Sequence, residues 1–296
     1  MNLKRISYYL GLFCFPISFL SFINILYSSY FDYFLSINSY VITLAISFLI
    51  GSILLFIGKK SEKKINFIDQ LILIILVYLV TSSFIALPFY LSNYQVTFLN
   101  SLFEGISGTT GTGFSIFDNI KYLDPTLIIW RSSSQWIGGL YFLFFLILVF
   151  SNKKFNYKMN ELTFSGDGNI YSEENVKNIL LKVFILYSVL SFLLFLSLNF
   201  SDVRMFNSLN LTMSIVSTGG FLPTDSLDKI IKTNPQKIIF IFFLIISMLN
   251  FFLIMNVFKK KVIIREHKED FYLISLSIAL ILLVYLNDSG LDIIIS

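Results

Sequence analysis

Long apolar runs, broken at intervals by short polar connections, organise this chain. Between Ile6 and Ile57 the only charge is Asp32, and residues 71–103, 132–152, 183–201, 238–258 and 271–287 carry none. A run of about 18 or more apolar residues is long enough, coiled as a helix, to cross a bilayer. The pattern predicts seven spanning helices, near residues 6–27, 37–57, 67–91, 127–150, 179–199, 237–258 and 271–286. Two connections, 92–126 and 200–236, are longer than a turn requires and hold apolar, Gly- and Ser/Thr-containing stretches too short to cross. They are either folded external loops or re-entrant segments, which persist at membrane depth only where protein or water satisfies their backbone. The expected fold class is an all-α polytopic membrane protein with two such loops.

Composition supports the membrane reading. Hydrophobic residues make up 56% of the chain and charged residues 14%, against roughly 25% charged in ordinary soluble domains. The 34 Phe and 16 Tyr residues suit lipid-facing bulk and interfacial belts. With one cysteine, Cys14, inside the first apolar run, and one histidine, His267, the inventory leaves no disulfide framework and no thiol or histidine metal cluster. Ser/His/Asp catalysis and lipid-acting membrane enzymes need groups that are almost missing here, so no enzyme is expected. Neither a Walker A sequence nor a strand–GxGxxG–helix unit is found, and no cofactor or nucleic-acid partner is expected.

The distribution of charge orients the chain. Lys4 and Arg5, then Lys59, Lys60, Lys63 and Lys64, then Lys153, Lys154, Lys158 and Lys177, then Lys259, Lys260, Lys261, Arg265 and Lys268 fall on alternate connections, 15 of the 22 basic residues. By the positive-inside rule that side is cytoplasmic, placing the N-terminus inside the plasma (inner) membrane and the C-terminus outside. The first hydrophobic stretch is too long for a cleaved signal peptide and reads as an uncleaved helix.

The two long connections repeat each other. At a shift of 107 residues, Asn100, Ser101, Leu102, Ser107, Gly113, Phe114 and Asp118 recur as Asn207, Ser208, Leu209, Ser214, Gly220, Phe221 and Asp225. A duplicated helix–loop–helix unit is the expectation. The chain then divides into two leading helices (1–64), a first unit with its cytoplasmic connector (65–174), a second unit with a basic loop (175–268), and a trailing helix (269–296). Each loop has a polar-spotted half able to form a short helix and a glycine-containing half unable to continue it, TTGTGF in the first and STGGF in the second. Glycine opens backbone conformations closed to other residues, so carbonyls can converge on one axis and replace the water shell of a monovalent cation. A half-helix ending there adds partial negative charge.

SLFEGISGTTGTGFSIF, WRSSSQWIGG and FNSLNLTMSIVSTGGFLPTD resemble the first pore loop, the following helix and the second pore loop of the Trk/Ktr/HKT potassium-transporter superfamily, in its TrkH-type membrane subunit. The resemblance implies four such units around one pore, with a glycine of each strand at the ion-binding level. Those glycines would be Gly113 and Gly220, with Thr110, Gly111 and Thr112, and Ser217, Thr218 and Gly219, supplying neighbouring carbonyls. Gly111 interrupts the family's Thr-Thr-Thr-Gly run and predicts a looser first strand. The resemblance further implies potassium as the transported ion, assembly as a homodimer, and a cytosolic nucleotide-binding regulatory subunit, with lipid around the whole.

Only two of the four units are present, and 271–286 reads as the entry helix of a third. Either a companion polypeptide or further copies complete the pore, or the chain is part of a longer product; a truncated or accessory non-conducting subunit is the alternative function. Several single residues have open roles. Glu104 either braces the first strand through backbone hydrogen bonds, lends charge to the entrance, or reaches external water. Asp118 and Asp225 either focus cations at the outer mouth or are plain loop acids. Arg131 either holds a strand carbonyl, pairs with Glu104, or extends to the interface. Gly138 and Gly139 are expected to permit close helix packing.

Overall fold

The structure is a computed structural model, which describes residues 3–59, 66–150, 173–249 and 271–279. Its helices are α1 (Leu3–Tyr30), α2 (Ile37–Gly58), α3 (Phe67–Tyr90), α4 (Phe98–Thr109), α5 (Pro125–Phe150), α6 (Glu173–Phe200), α7 (Met205–Val216) and α8 (Asn234–Met248). Residues 271–279 are also helical, and no strand occurs among the described residues. Helices α1, α2, α3, α5 and α6 are long and apolar enough to cross a membrane, in agreement with the first five expected spans. The sixth and seventh run on into residues outside the described ones, as do Lys60, Lys63, Lys64, Lys153, Lys154, Lys158, the 259–268 basic segment and His267.

Close packing in lipid cannot rely on excluding water from apolar faces, so small residues and hydrogen bonds bring helices together. The α1–α2 pair shows this. A side chain at Gly11 would stand 2.8 Å from the Gly51 carbonyl, and one at Gly58 would meet the Tyr8 Cβ at 2.5 Å. Ser18 and Ser47 share a 2.7 Å hydrogen bond across the seam. The core continues through Leu10 and Ile17 of α1, Leu73, Val77 and Ile85 of α3, and Trp130, Tyr141 and Phe145 of α5. A second cluster joins the end of α6 to α7 and α8 through Leu198, Leu211 and Phe240. Large apolar side chains such as Phe56 and Phe200, 82% and 85% exposed, point outward, whereas the Arg131–Gln135 stretch is buried. That inversion suits a lipid surround.

Helix α5 ties the others together. Its N-terminus is fixed by Asp124, whose carboxylate accepts from the Thr126 N–H and hydroxyl at 3.0 Å each, and from Ser36 at the foot of α2. Pro125 at the first helical position suits that start, since the amide it lacks would be unpaired there. Below, the Trp130 indole donates to Ile85 of α3 at 2.9 Å, the Tyr141 hydroxyl to Phe13 of α1 at 2.6 Å, and the Trp136 indole to Ser191 of α6 at 2.9 Å. Together these contacts tie α5 to α3, α1 and α6.

Candidate functional site: two loop strands on one helix

Helices α4 and α7 have twelve residues each. At 1.5 Å per residue they are about 18 Å long, short of the ~30 Å hydrocarbon layer. Both their starts (Phe98 and Met205) and their ends (Thr109 and Val216) differ by the repeat's 107 residues. The correspondence extends to the backbone. Gly111 and Thr218 have φ of +67° and +54°, and Gly113 and Gly220 have φ of +79° and +84°. Each helix ends by folding its amides back on its last turn: Thr112 N–H donates to the Ser107 carbonyl at 3.0 Å, and the equivalent Gly219 N–H to Ser214 at 2.8 Å. Gly111 therefore follows the same backbone course as Thr218, rather than a looser one.

The extended segments beyond these helices lie abreast. A Cβ built on Gly220 would stand 3.9 Å from the Gly113 Cα, and one on Gly113 would stand 3.4 Å from the Gly220 Cα. Neither position has room for a side chain without strain, because both φ values are positive. Thr110, Thr112, Thr218 and Gly220 are exposed, Gly111, Gly113 and Ser217 half-buried, and Gly219 buried. The eight strand residues named from sequence thus form one contiguous patch, with Gly219 turned to the protein side.

Behind the first strand, Glu104 and Arg131 form a buried ion pair, Oε1 to Nε at 2.7 Å, with 0% and 1% of each side chain exposed. The same carboxylate accepts from the Ile116 N–H at 3.0 Å and the Ser115 hydroxyl at 3.1 Å. Arg131 also donates to Ser115 at 2.9 Å and to the Leu222 carbonyl of the second loop at 3.5 Å. Its guanidinium lies 4.3 Å from the Phe221 ring centroid, a cation–π distance. Of the roles open to these residues, bracing the backbone and pairing with each other are realised, and reaching external water is not. Such a pair is held against desolvation only by satisfying every polar atom around it.

One turn further along α5, Gln135 reaches the second strand. Its Nε2 donates to the Gly219 carbonyl at 2.6 Å, and its Oε1 accepts from the Phe221 N–H at 3.0 Å. Gln135 was not singled out from sequence. The available signal was its register: Arg131, Gln135 and Gly138–Gly139 recur at helical spacing on one face of α5. The glycines serve close packing, as expected. A side chain at Gly138 would come within 2.6 Å of the Thr109 carbonyl carbon, and one at Gly139 within 2.9 Å of the Ser217 Cβ. α5 is wedged between the ends of both half-helices.

The two outer acids differ. Asp118 is exposed. Asp225 accepts from Lys229 Nζ at 2.8 Å and from the Lys121 N–H of the first loop at 3.4 Å. The Lys229 hydrogen bond, aided by that N–H, holds its carboxyl below the usual range. Equal offsets in the repeat therefore do not give equal surroundings.

Long apolar helices, a pair of half-helices entering from one side, and two abutting glycine strands define an integral membrane protein of the pore-loop class. The chain belongs to the TrkH cation transport protein family, whose model matches residues 36–285. It is 30% identical over 172 residues to an uncharacterized cation transporter of Methanocaldococcus jannaschii, covering 57% of this chain and 36% of that protein. It is 34% identical over 106 residues to the Trk system potassium uptake protein TrkG of Escherichia coli, covering 36% of this chain and 22% of that one. The potassium transporter TrkH from Vibrio parahaemolyticus has the same fold, with a TM-score of 0.69 at 19% identity over 92% of this chain and 55% of that chain. This chain thus spans about half the length of that structure and less of these two relatives.

Proposed function

We propose that this chain supplies two adjacent wall segments of a monovalent-cation pathway and takes part in potassium uptake. The observation that carries this is the pair of repeated strands, each with a left-handed glycine, Gly113 and Gly220, set side by side at the ends of two half-helices. Glycines at those positions leave backbone carbonyls as the only groups that can line the passage, and carbonyls replace the hydration shell of a cation. The C-terminal ends of α4 and α7 add partial negative charge there. With the N-terminus cytoplasmic in the inner membrane, a negative-inside potential draws each cation inward by about 2.3 kcal/mol per 100 mV. The two strands form part of the wall of that passage. A cytosolic nucleotide-binding subunit would act on the basic cytoplasmic face.

The experiment is rubidium uptake by a potassium-uptake-deficient bacterial strain expressing the chain, alone and with its neighbouring genes. Uptake should appear and saturate, and Gly220→Ser should lower potassium preference over sodium by adding a side chain where the strands abut. Uptake with an unchanged preference in that variant would remove Gly220 from the pathway. No uptake in any combination would favour a non-conducting accessory subunit.

A further inference from the structure

The two strands are alike in course but differ in what holds them. The first is held largely from its own unit: Ser107 donates to the Phe114 carbonyl at 2.6 Å, and Glu104 takes the Ser115 hydroxyl and the Ile116 N–H. At the repeat's offset, the residue equivalent to Glu104 is Leu211, buried and apolar. The second half-helix therefore has no carboxylate to brace its strand. What takes that place is Gln135, from the helix that ends the first unit.

We propose that Gln135 is a positioning residue for the second strand, and that by fixing Gly220 between two hydrogen bonds it sets the ion preference of the pathway. The proposal rests on the transport reading above. A carboxamide carries a donor and an acceptor side by side without ionising, and here they meet the carbonyl before Gly220 and the amide after it. The opposite orientation would set oxygen against oxygen and N–H against N–H, so the network fixes the orientation. Gln135 is fully buried, where such bonds are stronger than in water and a missing one is costly. The Gly219 carbonyl is thereby committed to α5, while among the described residues no donor engages the Gly220 carbonyl. A side chain at Gly219 would overlap the Gln135 carboxamide, its nitrogen at 2.7 Å, so the fit is made from both sides. A cation ring selects by where its carbonyls sit, and a strand freed of its staple would adapt to either ion.

Two substitutions separate the hydrogen bonds from the volume they occupy. Q135M keeps nearly the bulk and loses both bonds; Q135L loses both as well, in a branched shape. Both are compared with the parent in lipid nanodiscs by hydrogen exchange at the Phe221 amide, and in the native assembly in proteoliposomes by potassium-to-sodium uptake ratio. Q135M should speed Phe221 exchange by about tenfold, the loss of one or two buried bonds, with α1 and α3 unchanged. Both variants should lower the uptake ratio by about tenfold while rubidium uptake persists. Should Q135M not fold, Q135L carries the comparison on uptake. Parent-like exchange in Q135M, or a parent-like ratio in Q135L, would overturn the proposal. Absence of flux from the parent itself would instead remove the transport reading, and Phe221 exchange would then decide the staple alone.

Discussion

Thr218 is β-branched and carries a φ of +54°, a region glycine occupies freely and threonine does not. Its counterpart in the first strand is Gly111, at +67°. Backbone strain of this kind is of order 1–3 kcal/mol and persists only where surroundings enforce it. Thr218→Gly should therefore raise stability by about 1 kcal/mol net of glycine's entropy, read as a higher Tm in detergent; a lower Tm would mean that the threonine side chain contributes more than the strain removes. Glu104 and Arg131 act in the opposite sense. Removing Glu104 leaves a guanidinium buried without its partner, so Glu104→Ala should lower stability by about 3–5 kcal/mol, and a loss under 1 kcal/mol would show that water reaches the site. Asp225 has the weaker, exposed form of such a pair. Its folded carboxyl is depressed, so its contribution is full above about pH 4 and fades as pH falls through the folded value. The small Tm difference between parent and Asp225→Asn at about pH 6 should therefore shrink as pH falls below about 4. At this scale the sequence named Glu104 and Arg131 because charge in an apolar setting is conspicuous. Gln135 passed unnoticed because its one signal, a shared face with Arg131 and Gly138–Gly139, does not say what lies against that face until a strand from another unit is laid beside it.

The elements themselves were the most legible part. Apolar run length fixed α1, α2, α3, α5 and α6 to within a few residues at most ends, because a spanning helix satisfies its own backbone and needs no partner to define it. The half-helices were legible through repetition, since two loops that align without gaps declare a common fold even when neither does alone. What periodicity could not show is the use of α5 as a shared template, because that depends on which helix faces are turned toward which loops. The wedge of α5 gives a direct test. Gly138→Ala places a methyl group against the Thr109 carbonyl at the end of α4, backbone that cannot rotate aside. Overpacking of this kind costs about 1–3 kcal/mol, and here it should also part α4 from α5, seen as a lower Tm and faster exchange at the Thr112 amide. A parent-like Tm would mean that α5 sits further from the half-helix than the structure shows.

At the scale of the whole molecule, the proposed passage has these two strands, held on one helix, as part of its wall. Each exposed backbone group at membrane depth needs a partner, whether water in the passage or another wall. On the proposed function, a dehydrated cation rests against the strands of Gly113 and Gly220. The most direct measurement is the position of rubidium by anomalous scattering in crystals of the assembled protein grown with rubidium in place of potassium. A peak is expected at coordination distance from the Gly113 and Gly220 carbonyls, weakened in Gly220→Ser. Rubidium bound elsewhere, with these carbonyls hydrogen-bonded within the protein, would contradict it.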